Sequence, residues 1–544
     1  MFTSTTLQRD AHRDQSAPRP FSASDPNPTR AAWAALAAVT LFALALRLFR
    51  LGYQSFWFDE ILSWISAQGT PWHVMTQREE NTNIPPLYYL VANAVLPLQR
   101  WLGLESSLRL PSVVAGVATI PILYAVVRRW LGRSAGLVAA AVVAVAPFHV
   151  WYSQEARPYA LLAFLAVAAV TCLQRALDDP VRWGWKAAFA VFAAATFWCH
   201  TVGLGFLAFS VAYVVLEAPR RDAAERPGAL WPVWRRFRWR PWVLTFATVA
   251  VLCIPAVWRL VSLPPTAYGP ERGLSPSDVA YTFWAYAVGF SFGPSLGELH
   301  GPDRAAVVLR YWATVAPVGI AVVSLFALGA RALSRCDRRV FVLVALWLLL
   351  PLGFVIAGSL VTRHPFNVRY LIVGFLPASL LFAEGLRALQ PPLLRAAAVV
   401  GAIAVTATSL AGYYFDPRYA RDDYRGACAF FAAHAKPGEL VLANRPFSAA
   451  SLRLYAPSVA THVLPFPPEP RPRGTAATDA ELASAVGTSQ RVWLYLSRST
   501  AAEEGAMTGW LDARFRREYT FASSGVRLLG YVRDDARDGA ADRH

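Results

Sequence analysis

The chain has 544 residues, of which 55% are hydrophobic and only 16% charged, with a mean hydropathy of +0.34. A water-soluble domain carries about 25% charged residues, so a string of soluble domains is excluded. The formal net charge of +17 would suit a nucleic-acid binder, but the basic residues sit in short clusters between apolar runs. That is the spacing of membrane loops, and no nucleic-acid partner is expected.

Residues 1–30 are polar and rich in Pro and Ser, without an apolar core. They read as a disordered cytoplasmic tail, not as a signal peptide. A spanning helix needs about 20 apolar residues. Runs of that kind lie near 31–50, 109–128, 134–152, 158–175, 185–199, 201–217, 241–260, 311–330, 340–360, 370–389 and 396–413. About eleven spans are therefore expected within a membrane domain over 31–413. The run 85–104 is ambiguous, because it opens on two prolines and contains Gln99 and Arg100. Charge decides it. With this run held outside as an interfacial helix, the inner segments carry about 23 basic residues and the outer loops before residue 414 about 10. If it crossed, every later loop would flip and the positive-inside rule would be inverted. The layout predicts a multi-pass protein of the plasma (inner) membrane, with its N-terminus cytoplasmic.

Three regions then face outward. The first is the loop 51–108, with interfacial helices. The second is the loop 261–310, whose aromatic stretch YTFWAYAVGF (281–290) could lie on the membrane or close over a site as a lid. The third is a small α/β domain over 414–533, followed by a charged tail, 534–544. Within it GELVLANR and RVWLYLS read as strands, DYRGACAFFAAHA as an amphipathic helix, and REYTFASSGVRLLGYV as a hairpin. The fold class is mainly α: a polytopic membrane helix bundle with a C-terminal extracytoplasmic α/β domain. Cys172, Cys199, Cys253, Cys336 and Cys428 show no metal-binding spacing, and no structural disulfide is expected.

The candidate chemistry collects on the outer face. RLFRLGYQSFWFDEILSW (47–64) places Asp59 and Glu60 just past the first span, among interface aromatics. WYSQEARPYALL (151–162) adds Glu155, Arg157 and Tyr159, FWCHTVGL adds His200, and TRHPFNVRYLIVGFLP (362–377) adds His364, Arg369 and Tyr370. Each has a plain structural alternative: a solvated acidic pair, a local Glu155–Arg157 ion pair, a structural histidine, a snorkelling arginine. Their convergence on one face is harder to explain that way. Acids, cations and aromatics at one membrane surface make a candidate reaction site.

These stretches, together with NIPPLYYL (83–90), LRLPSVVAGVATIPILYAVVRRWLGRSAGLVAA (108–140), PFHVWYSQEARPYAL (147–161) and RYLIVGFLP (369–377), resemble membrane glycosyltransferases of the GT-C class. The resemblance is to the protein O-mannosyltransferase and lipid A aminoarabinose transferase type, and it covers roughly residues 40–415. It implies inverting transfer from a polyprenyl-phosphate sugar on the non-cytoplasmic side. It further implies that Asp59 is the general base, with Glu60 as its helper, and that outer-face arginines hold the donor phosphate. Glu155, Arg157, Tyr159, His200, His364, Arg369 and Tyr370 would then line the substrate site. The acceptor hydroxyl stays open between a glycolipid, a protein and a cell-wall glycan. Two departures stand out. Asn83 and Ile84 precede the two prolines where many relatives have His, and Glu155 with Arg157 replaces a second acidic pair. No cofactor is expected, and a divalent metal is not favoured. A polytopic lipid or sugar transporter would instead show repeated halves and charges near mid-membrane; no repeat is present. A binding or scaffold protein centred on the C-terminal domain is the third alternative.

Overall fold

The computed structural model describes residues 29–77, 84–225, 237–262, 274–299, 303–362, 366–467 and 477–534. The expected tail (to residue 28), the chain end from residue 535, Asn83 and His364 lie outside the described residues.

Helices occupy all eleven expected spans. Among the described residues, nine are long and apolar enough to cross a membrane, from Arg30–Leu48 to Pro392–Phe415. A tenth would be the pair Arg133–Val145 and Pro147–Ser153, bent by 59°. The count falls short of eleven at Trp183–Cys199, which has 17 residues. At 1.5 Å per residue it reaches about 26 Å, just under a hydrocarbon core of about 30 Å. Outward-facing apolar side chains such as Leu244, Val251, Ile254, Ile320, Val323 and Ile403 are exposed on these helices, as expected of surfaces solvated by lipid. The chain is a multi-pass membrane protein. Trp312–Cys336 and Ile372–Ala388 cross closely because Gly329 and Gly385 face the partner backbone. A Cβ at either would collide with the carbonyl of Leu381 or Leu325.

The bend has a local cause. Pro147 has no N–H to give the Val143 carbonyl, and the turn frees the Ala144 carbonyl as well. Arg47, fully buried, fills the gap. It donates to Val143 O at 3.3 Å, Ala144 O at 2.9 Å, Ala43 O at 3.0 Å and Ser153 Oγ at 3.1 Å, and meets His149 Nδ1 at 2.8 Å.

The run 85–104 breaks into Leu87–Val95, Leu96–Leu98 and Gln99–Leu102. None of these can span, in agreement with an interfacial reading. The next helix begins at Leu104, five residues before the expected start. In the loop 261–310 the aromatic stretch forms the helix Pro276–Val288. It packs into the bundle: Tyr286 lies 5.1 Å from Phe148 and 5.7 Å from Phe375, ring to ring, and its hydroxyl donates to the Leu371 carbonyl. One face of this helix is core, with Thr282, Ala285, Tyr286 and Val288 buried, so this described part is not a free lid.

The C-terminal region forms a five-stranded sheet in the order β2-β1-β3-β5-β4. The strands are β1 (Leu440–Ala443), β2 (His462–Pro465), β3 (Arg491–Ser497), β4 (Phe515–Ser523) and β5 (Val526–Arg533). β1 is parallel to both β2 and β3, while β3–β5 and β5–β4 are antiparallel. The expected strands, hairpin and helix Tyr424–His434 are all present. Because β2 and β3 lie on opposite sides of β1, the carboxyl edge of β1 and β3 is a topological switch point, the usual ligand crevice of open α/β sheets. That edge faces the membrane domain: the Phe447 ring lies tilted against Phe58 of the loop 51–108, their centres 4.5 Å apart.

Candidate functional site

The site is built on the short helix Phe58–Ser66, which puts Asp59 and Glu60 in its first turn, where carboxylates suit the helix dipole. Neighbours on a helix point about 100° apart, so the two acids meet different surroundings.

Glu60 is fully buried and caged. Arg109 forks onto it, Nε to Oε1 at 2.8 Å and Nη2 to Oε2 at 2.7 Å. The Ala156 N–H donates to Oε1 at 2.7 Å, and Arg421 Nη1 to Oε2 at 3.2 Å. Burial pushes this carboxyl up, but Arg109 and Arg421 outweigh it and hold it below the usual range. Arg109 spends its other N–H groups on the carbonyls of Leu51 (2.7 Å), Gln54 (3.0 Å) and Ser55 (3.1 Å). All five guanidinium donors are thereby satisfied. Glu60 thus locks the first outer loop to the Leu104–Leu131 helix, the 154–157 turn and, through Arg421, the C-terminal domain.

Asp59 is buried as well but has fewer partners. Its carboxylate pairs with Arg369, at the start of a span. Arg157 donates to the Asp59 carbonyl at 3.1 Å and to Ser63 Oγ at 3.2 Å, so it braces the helix that carries the acid. Burial raises the Asp59 carboxyl, while Arg369, Arg157 and Arg498 together bring it below the ordinary value. Around this pair, the Arg369 guanidinium carbon stands 6.0, 5.8 and 5.5 Å from the ring centres of Trp57, Tyr159 and Tyr370. His200 lies between Tyr159 (5.7 Å) and Tyr370 (5.5 Å). Its Nδ1 accepts from the Val202 N–H at 3.2 Å. Burial, then Arg157 and Arg369, push its pKa down to about 3, so the ring is neutral and carries its proton on Nε2.

Glu155 does not pair with Arg157 as a local ion pair would require; the nearest cation is Arg421, at 3.8 Å. Both Glu155 oxygens are buried without a hydrogen-bond partner. Burial drives its pKa up to about 7, Arg421 offsets part of this, and Glu60 and Asp59 add to it. Other donors and hydroxyls here also lack partners: Tyr159 Oη, Tyr89 Oη, His200 Nε2, Trp57 Nε1 and the Nε of Arg157 and Arg369. Unsatisfied buried polar groups are uncommon in native folds, and a cluster of them suits a substrate.

Of the expected site residues, the structure thus gathers Asp59, Glu60, Glu155, Arg157, Tyr159, His200, Arg369 and Tyr370. Three cations were not anticipated: Arg109, inside an apolar run, and Arg421 and Arg498, in the C-terminal domain. Each reaches the site only through long-range packing. Among the described residues no group of three or more His, Cys, Asp or Glu is arranged to hold a metal.

Residues 83–258 match the sequence model of the family described as dolichyl-phosphate-mannose-protein mannosyltransferase. That stretch contains Glu155, Arg157, Tyr159 and His200 but stops outside Asp59 and Arg369. No curated protein matches the chain in sequence. In structure it is similar to ArnT from Cupriavidus metallidurans in the apo state, with TM-score 0.54, 13% identity, and coverage of 92% of this chain and 98% of that one. It is also similar to the oligosaccharyltransferase of Archaeoglobus fulgidus in complex with Zn and sulfate, with TM-score 0.53, 13% identity, and coverage of 92% and 73%. The Archaeoglobus fulgidus AglB structure in complex with an inhibitory peptide and a dolichol-phosphate gives TM-score 0.50, 12% identity, and coverage of 93% and 74%. Over most of its length the chain thus has the fold of these membrane glycosyltransferases, and residues 83–258 carry the sequence pattern of the mannosyltransferase family.

Proposed function

We propose that the chain transfers a glycosyl unit, with inversion, from a polyprenyl-phosphate donor to an acceptor hydroxyl on the non-cytoplasmic side of the membrane. The observation that carries this reading is the Asp59–Arg369 pair, a carboxylate and a guanidinium held together where a span begins, among aromatic rings and unpartnered donors. A lipid-linked sugar phosphate presents its anomeric carbon at that depth. The dolichol-phosphate bound by the similarly folded AglB supports a donor of this class. The arginine bias of the opposite loops supports the outward orientation. Charges gathered at one end of the bundle speak for a surface reaction and against a transport path.

In this mechanism the acceptor oxygen attacks the anomeric carbon, the bond from that carbon to the phosphate oxygen breaks, and its electron pair leaves with the lipid phosphate. The acceptor proton passes to Asp59, the general base. Arg369 stabilises the charge on the departing phosphate, aided by Arg157. Without donor, Arg369 rests on Asp59. A phosphate that draws Arg369 away removes the main cation lowering the Asp59 carboxyl and so makes it a stronger base. The neutral His200 offers its Nε2–H, and the Tyr159 hydroxyl a second hydrogen bond, to the sugar or the phosphate. Glu60 positions the helix and takes no proton. Arginine supplies the positive charge, so turnover is expected to survive a metal chelator.

The test is release of free polyprenyl phosphate by purified protein given a panel of polyprenyl-phosphate sugars with envelope extract as acceptor. Release by the parent and its loss in Asp59→Asn are expected. Equal release by both would remove Asp59 from the mechanism, and no release with any sugar would refute the donor class.

A further inference from the structure

Arg498 belongs to the C-terminal domain, directly after β3, and takes a left-handed backbone conformation (φ 51°) that side chains other than glycine adopt rarely. The turn is held rather than loose. Asn444, at the end of β1, brackets Ser497 by donating to its carbonyl at 3.0 Å and accepting from its N–H at 2.8 Å. The result aims Arg498 at the first outer loop. Its guanidinium carbon stands 5.3 Å from the Trp57 ring centre and 5.7 Å from that of Phe58. Its Nε is engaged by Asp422 at 2.9 Å, while its two Nη groups have no hydrogen-bond partner among the described residues. The side chain remains 38% exposed. Trp57 Nε1, in the same place, is buried and also without a partner. Trp57 is the ring near which Arg369 lies, at 6.0 Å, so the two cations are no further apart than the sum of those distances.

We infer that Arg498 and Trp57 Nε1 form a subsite for an anionic group, a phosphate or carboxylate, carried by the acceptor. The inference rests on the transferase reading above and names a residue and a chemical class for the acceptor side. Both groups are donors only, the guanidinium carbon lies 5.3 Å from the centre of the ring that carries Nε1, and neither Nε1 nor the Arg498 Nη groups have an acceptor among the described residues. A guanidinium with a free fork recognises paired oxygens of a phosphate or carboxylate. The side from which the anion comes follows from the architecture. A donor anchored in lipid leaves its phosphate at the span where Arg369 begins. Arg498 stands on the soluble domain, at the carboxyl edge of β1 and β3, and meets what arrives from water. An anion held there places a hydroxyl of the same molecule beside Asp59, one residue from Phe58 and two from Trp57, the aromatic contacts of Arg498.

The test compares binding of two probes to full-length purified protein: polyprenyl phosphate for the donor side, and glucose 6-phosphate, with neutral glucose as control, for the acceptor side. Arg498→Gln should weaken glucose 6-phosphate about tenfold or more, as loss of a charged hydrogen-bond pair does, and leave polyprenyl phosphate within about twofold. Arg498→Lys should recover part of the loss, because charge remains without the fork. Asp422→Asn, which removes the counter-charge of Arg498 while keeping an acceptor oxygen, should bind glucose 6-phosphate at least as well as the parent. Arg369→Gln should show the opposite pattern. Unchanged glucose 6-phosphate binding in Arg498→Gln, or a parent that binds polyprenyl phosphate but prefers neither sugar, would overturn the inference while leaving the transferase reading standing. Loss of polyprenyl phosphate in Arg498→Gln would move the residue to the donor side and also overturn it. A parent that binds neither probe would strike the transferase reading itself.

Discussion

Glu155→Gln is expected to stabilise the protein at alkaline pH. The wild-type carboxyl is fully buried, both of its oxygens lack hydrogen bonds, and its pKa is pushed from 4.5 up to about 7. A raised carboxyl pKa means that the folded state prefers the protonated form. The group therefore costs nothing well below pH 4.5, its cost grows as pH rises toward 7, and the cost is complete above that. At 1.36 kcal/mol per pKa unit the full penalty is roughly 3 kcal/mol. Glutamine keeps the shape of the protonated acid without the charge, so the variant should gain about this much at pH 8.5 and little at pH 4.5. Unfolding of a membrane protein is commonly irreversible, so the measurement is a matched series of inactivation rates and melting temperatures of both proteins across that range. A parent and variant whose stabilities run parallel from pH 4.5 to 8.5 would refute the argument, because no buried titrating carboxyl would then remain to explain. A stabilised variant with full turnover would show that the carboxyl has no part in the reaction.

Glu60→Gln should act oppositely. It leaves Arg109 and Arg421 short of a buried counter-charge, which typically costs about 3–5 kcal/mol and, in a chain of 544 residues, lowers the melting temperature by roughly 3–4 °C; a variant that melts like the parent would deny Glu60 its structural role. Asp59→Asn should lose about 10²–10⁴-fold in turnover with polyprenyl-phosphate affinity nearly intact, measured by equilibrium binding. Arg369→Gln should weaken that affinity. It should also shift the acid limb of kcat/KM to higher pH, since Arg369 is the strongest of the cations lowering the Asp59 carboxyl. A pH profile that does not move would dissolve the coupling between the two.

The sequence by itself determined the elements, and for their sidedness it offers the expectation of the positive-inside rule. Spans follow from apolar runs about 20 residues long, and the arginine bias sorted the loops without any coordinates. β3 and the β4–β5 hairpin were legible from alternation and turn residues. Asp59, Glu155, Arg157 and Arg369 stood out because charge at a membrane surface is costly unless used. What the sequence could not decide is which acid is caged and which meets a single arginine. Asp59 and Glu60 are neighbours in an identical local context, and long-range partners separate them: on Glu60 the fork of Arg109, 49 positions away, and the reach of Arg421, 361 positions away, and on Asp59 the pairing with Arg369. Local periodicity reports the face on which a residue lies, not the partner it meets across the fold. For the same reason Glu155 and Arg157, two residues apart, read as an ion pair but point to different partners, and Arg498 became part of the site only when the C-terminal sheet docked its switch-point edge against Trp57. Pairing of buried charges is decided by tertiary packing, because desolvation makes each charge depend on whichever counter-charge the whole fold brings within reach.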